Sequence, residues 1–107
     1  MADNPLWKIS EHPSTIGEAT IVSRDPSVLT ADVDGEVVMM SIQQARYIGL
    51  DEIGSDIWKR MEPSCSFATL IEGLAADYEA DRATIKADVE NLLLRMAEQG
   101  VVRLTEV

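Results

Sequence analysis

The clearest pattern in the chain lies toward its end, where Ile85, Val89, Leu92, Leu93 and Met96 recur at intervals of three, four and seven residues. This is one stripe of a 3.6-residue period, so Ile85 to Gly100 reads as the longest helix. Gly100 is placed to stop it, because a residue without Cβ takes the left-handed conformation past a helix end at little cost. Val101-Val102 then resume an extended tail. On a wheel of about 100° per residue, Asp88 and Arg95 border the stripe beside Leu92, while Leu94 points nearly opposite. This helix offers more apolar width than a small core needs.

Upstream the periods change. Residues 1–20 mix Pro5, Pro13 and Gly17 with polar positions in no sustained period, so they are expected to form an irregular extension to a domain spanning 21–107. Within the extension, Leu6, Trp7 and Ile9 are candidates to pack on the body or on a neighbour. From Val28, β-branched runs flank Asp34-Gly35, the strongest short hairpin signal, and predict antiparallel strands over 28–33 and 36–42. Ser41 and Gln44 spell a capping box, yet Tyr47, Ile48 and Gly49 favour a third strand over 45–50. Asp51 is a candidate N-cap for a helix over 52–61, with Ile53, Ile57, Trp58 and Met61 at helical spacing. Pro63 blocks its continuation. Ser66 then caps a second helix striped by Phe67, Leu70, Ile71, Leu74 and Tyr78, and Asp81 caps the third. Strands first and helices after predict an α+β fold, a three-stranded antiparallel sheet followed by three helices. Such a meander leaves two edge strands, one of them containing Tyr47.

Composition narrows the function. With 107 residues, 46% of them hydrophobic, the chain is one domain with a single modest core. A net charge of -10 repels phosphate backbones and anionic membranes, so neither nucleic acid nor membrane is the expected partner. The lone cysteine, Cys65, excludes an intrachain disulfide, and the absence of a signal peptide or long apolar run points to the cytoplasm. His12, the only histidine, has no partner ligand nearby and reads as a solvated residue. Cys65 reads as a half-buried structural thiol in the loop between helices. Gly54-Ser55-Asp56 sets a serine beside an acid, but inside helix one it reads as surface. No metal site, cofactor loop or catalytic constellation is apparent, so no cofactor and no enzymatic activity are expected. A DNA-binding winged helix shares the element count, yet Arg82, Lys86 and Arg95 on the third helix are offset by Asp88, Glu90 and Glu98. An acyl carrier protein shares the acidity but would need an Asp-Ser-Leu attachment site. Recognition of a peptide or protein surface remains.

The ordered segments Y-I-G-L-D-E-I-G-S-D-I-W, S-F-A-T-L-I-E-G-L-A-A-D-Y and A-D-V-E-N-L-L-L-R-M-A-E-Q-G-V-V resemble the PqqD-like family over roughly residues 28 to 104. Members are precursor-recognition elements for ribosomally made, post-translationally modified peptides. The aromatic-x-Gly-Leu entry to helix one and the Tyr78–Asp81 link look more like the stand-alone subunit of lasso-peptide pathways than the pyrroloquinoline quinone protein. Position 51 is Asp where members often carry Asn, which keeps the capping role. The resemblance implies a winged-helix-like domain that binds a precursor's leader segment and presents it to a leader peptidase and a macrolactam synthetase. The alternative within the family is the precursor of pyrroloquinoline quinone or of another modified peptide. The leader is expected to add beside the third strand, at Ala45, Arg46, Tyr47, Ile48, Gly49 and Leu50, and to press on Asp88, Leu92, Arg95 and Met96 of the third helix. Tyr47 also reads as an ordinary cross-strand aromatic, and Leu92 and Met96 as core.

Overall fold

Local backbone chemistry explains most of the element boundaries. The computed structural model describes residues 15–42 and 45–106; Trp7, His12 and the Ser41/Gln44 capping box fall wholly or partly outside them. Two strands, β2 (Val28–Val33) and β3 (Glu36–Ser41), are joined by Asp34 and Gly35 at φ 55° and 87°, the pair of positive values that a two-residue hairpin requires. A third strand, β4 (Arg46–Gly49), pairs with β3, and the sheet order is β2-β3-β4, antiparallel throughout. Ala45 stands just outside it with φ 53°.

Each helix starts on the side chain expected to cap it. Asp51 accepts the Gly54 N–H at 2.8 Å ahead of α1 (Glu52–Arg60). Ser66 accepts the Thr69 N–H at 3.1 Å ahead of α2 (Phe67–Tyr78), and Asp81 the Thr84 N–H at 3.1 Å ahead of α3 (Arg82–Glu98). Gly100 takes φ 77°, and the Gly100 and Val101 N–H groups donate to the carbonyls of Ala97 and Met96. This double closure satisfies the carbonyls that the end of α3 leaves open.

The chain also builds a second sheet that local patterning does not announce. Strand β1 (Ile21–Arg24) lies between β5 (Cys65–Ser66) and β6 (Val102–Thr105), antiparallel to both. The expected tail is therefore a strand, and Cys65 sits half-buried in a strand rather than in a loop. Residues 15–20 hold no helix or strand but pack on the body: Ile16 and Thr20 are buried, and the Phe67 N–H donates to the Thr20 carbonyl. Between the sheets and helices lies one core, in which Val22, Phe67, Ile71, Leu93 and Val101 are completely enclosed.

A correction concerns Ser55, which is only 1% exposed. Its hydroxyl accepts the Val37 N–H at 2.8 Å and donates to the Leu50 carbonyl at 3.3 Å. The helix turns into the sheet here, so a polar side chain that looked solvated instead completes the β3–β4 ladder.

Candidate functional site

The edge of the sheet defines the site. The Leu50 N–H donates to the Val37 carbonyl at 2.9 Å, and the register continues with Met39 opposite Ile48 and Ser41 opposite Arg46. Antiparallel pairs alternate between bonded and unbonded positions. Arg46, Ile48 and Leu50 therefore turn their backbone toward β3, whereas Tyr47 and Gly49 turn theirs toward the edge of β4 that no described strand covers.

Side chains alternate in the other sense. Ile48 packs against the core, and the Arg46 guanidinium donates to the Gln99 carboxamide at the end of α3. Tyr47, 78% exposed, lies on the opposite face of the sheet, where it lines a shallow depression with Leu29 and Met40. Its side chain does not face the third helix; its contribution to the edge is backbone.

Beside the end of β4 opens a groove of about 600 Å³. One wall is α3, contributing Ile85, Asp88, Val89, Leu92 and Arg95. Gly49, Leu50 and Asp51 form the corner, and Ile53, Gly54 and Ile57 of α1 form the second wall. Gly54 lets that wall come close, since a Cβ there would meet Asp51 Oδ1 at 3.2 Å and Leu50 Cβ at 3.4 Å. Leu74 and Tyr78 of α2 close the far end. The Tyr78 hydroxyl donates to Asp56 Oδ2 at 2.7 Å, and this bond, with partial burial, holds the phenol above its ordinary pKa. The lining is aliphatic with charges at its rim, a chemistry suited to holding an apolar side chain.

Of the ten residues expected at the site, Gly49, Leu50, Asp88, Leu92 and Arg95 meet in the groove. Met96 is 4% exposed and supports α3 from behind the wall. Ala45, Arg46, Tyr47 and Ile48 form the approach to the edge. Absent from that expectation were the walls from α1 and α2, above all Ile53, which is 54% exposed. Its signal was an apolar residue in the first turn, ahead of the buried Ile57, Trp58 and Met61. Among the described residues no group of His, Cys, Asp and Glu is arranged to hold a metal ion. No described helix is long and apolar enough to cross a membrane.

The family model for coenzyme PQQ synthesis protein D (PqqD) matches residues 36–102. The chain is 40% identical over 55 residues to a PqqA binding protein of Rhodopseudomonas palustris, covering 51% of this chain and 54% of that relative. It is 36% identical over 59 residues to a PqqA binding protein of Xanthomonas oryzae pv. oryzae, covering 55% and 64%. Both matches span less than two thirds of the relative's length. Among solved structures, TbiB1 in complex with the TbiA(beta) leader peptide is similar with a TM-score of 0.72 and 30% identity, over 76% of this chain and 94% of that one. The PqqD truncation of Methylobacterium extorquens PqqCD, a stand-alone recognition element, shares the fold at a TM-score of 0.70 and 19% identity, over 85% and 97%. With more than half of its length matched by the family model, the chain belongs to the PqqD family.

Proposed function

We infer that this chain binds the leader segment of a ribosomally made precursor peptide, adding it as a strand to the free edge of β4, and presents it to modifying enzymes. The observation that carries this reading is the meeting of two features: an edge strand whose Tyr47 and Gly49 backbone groups no described strand pairs, and an apolar groove at its end. Backbone pairing gives such an arrangement affinity for any extended chain, and the groove gives it a choice of side chains. Family membership and the likeness to a protein solved with a leader peptide support it. In the lasso-peptide form of this reading, the partners are a leader peptidase and a macrolactam synthetase in the cytoplasm. The PqqA-binding relatives favour a second form, in which the precursor is PqqA-like.

A titration distinguishes these forms. Labelled TbiA(beta) leader, PqqA, the precursor encoded beside this chain's own gene and a DNA duplex are each added to the isotope-labelled protein. Saturable binding of a precursor, with amide shifts at Tyr47, Gly49 and Leu92, is expected. Shifts confined to other surfaces, or DNA binding with a steep salt slope, would overturn the reading.

A further inference from the structure

Charge is distributed unevenly around the groove. Among the described residues, Arg24, Lys59, Arg60, Arg82, Lys86 and Arg103 each lie within 3.6 Å of a carboxylate. Arg46 and Arg95 are the two described cations that do not; Arg46 meets only the neutral Gln99, and Glu98, one turn past Arg95, makes no ion pair with it among the described residues. In a chain of net charge -10, Arg95 lines the groove and Arg46, through Gln99, lies against the same C-terminal end of α3. At the other end stand Asp51, whose Oδ1 serves the helix cap, and Asp88, also without an ion pair among the described residues.

The two walls agree on this polarity. The Arg46–Gln99 contact sets the start of β4 beside the end of α3, while Gly49 and Leu50 at the other end of β4 line a groove that reaches back along α3 from Arg95 through Leu92 and Asp88 to Ile85, so β4 leads away from the C-terminal end of α3. Each wall is basic at the Arg46/Arg95 end and acidic at the Asp51/Asp88 end. Leu92 stands between the helix charges.

Building on the leader-binding reading, we propose that the groove selects peptides by charge order: a basic side chain at Asp88 on the N-terminal side, an apolar one at Leu92, and an acidic one at Arg95 on the C-terminal side. The direction follows from the sheet, whose strands are all antiparallel. Antiparallel pairing is also the more stable per residue, and it sets the peptide's N-terminus at the β4 end occupied by Asp51. Spacing follows from the helix. Seven residues rise about 10.5 Å, and same-face positions four apart on a strand span about 13 Å, a difference that long side chains absorb.

The test is to pan a displayed library of random 12-residue peptides on the wild-type protein and on the doubly exchanged variant Asp88→Arg/Arg95→Asp, with circular dichroism as the check on fold. Enriched peptides are expected to read basic-x-apolar-x-acidic on the wild type and acidic-x-apolar-x-basic on the variant. Inverting the charges within one selected peptide should weaken wild-type binding about tenfold, since two attractions become repulsions. A consensus that binds the groove without charge order, or an order that the exchange leaves unchanged, overturns this proposal and spares the reading beneath it. Enriched peptides that leave the amides of Tyr47, Gly49 and Leu92 unshifted overturn both. If the exchanged variant fails to fold, the single change Arg95→Gln decides: loss of the acidic preference alone is expected, and its retention overturns the proposal.

Discussion

Replacing Ser55 by Ala removes one oxygen from the junction of β3, β4 and α1. At the last pair of the ladder, the Leu50 N–H reaches the Val37 carbonyl directly, but the reciprocal bond is relayed: Val37 N–H to Ser55 Oγ at 2.8 Å, then Ser55 Oγ to the Leu50 carbonyl at 3.3 Å. Ser55 is 1% and Val37 4% exposed, so without the hydroxyl the Val37 donor is left buried and unpaired. An unsatisfied buried donor costs about 1–3 kcal/mol, and the lost methylene-sized space adds little because alanine retains the Cβ. For a domain of this size, each kcal/mol lowers Tm by roughly 4–8 °C, so a fall of about 4–24 °C is expected in a calorimetric scan. Native-state hydrogen exchange should also find the Val37 and Leu50 amides less protected than in the wild type, while β1 and β6 amides change less. Leu50 is the corner of the groove, so leader affinity should fall with them. A Tm within about 2 °C of wild type, together with unchanged Val37 protection, would refute the argument that this hydroxyl completes the ladder.

Edge and ladder positions on β4 should separate cleanly: Tyr47→Pro removes only an edge-facing N–H and is expected to weaken leader binding about three- to tenfold with the fold retained, whereas Ile48→Pro removes a ladder N–H and should lower Tm sharply by circular dichroism. Ile53→Ala and Leu29→Ala form a matched pair, being 54% and 56% exposed; titration should show leader affinity falling for Ile53, in the groove, and unchanged for Leu29, on the outer face. Asp25 accepts the Ser27 hydroxyl and amide and is approached by Arg103, which together hold its carboxyl below the ordinary range. A depressed carboxylate contributes stability that is present above its unfolded pKa of about 4 and lost as pH falls through the lower folded value, so acid melting of the wild type should exceed that of Asp25→Asn in steepness below about pH 4. Gly100→Ala forces a side chain into φ 77° and should cost about 1–2 kcal/mol, read by urea denaturation.

What sequence alone foretold was local chemistry. The Asp34-Gly35 turn, the three helix caps and the Gly100 stop each depend on residues within a few positions of one another, and each stands where it was expected. Antiparallel β1 and β6 were invisible because their partners, such as Ile21 and Thr105, lie at opposite ends of the chain and each strand has only four residues. Ser55 was misread for a related reason: both of its partners belong to the sheet, and a helical wheel does not see them. Half of the candidate groove was legible, since an over-wide apolar stripe on α3 and an edge strand at Tyr47 were both inferred from pattern. Period-two alternation also sets the Tyr47 side chain with Leu29 and Met40, away from α3, once the register is known.

The division of labour between edge and groove follows from their magnitudes. Tyr47 and Gly49 present two N–H groups and two carbonyls, so at most four backbone bonds form, worth about 0.5–1.5 kcal/mol each, or about 2–6 kcal/mol together. Ordering some five residues of a flexible leader costs about 1–2 kcal/mol apiece, or about 5–10 kcal/mol. Edge pairing by itself therefore fails to hold the peptide. Two or three aliphatic side chains buried in the groove return about 1.5–3 kcal/mol each, which is enough to tip the balance and is available only to a leader with apolar residues at the right spacing. Affinity that depends on the groove in this way discriminates among sequences, because the edge accepts any backbone and the groove does not. On the proposed reading, a domain with a core this small recognises its precursor without enclosing it.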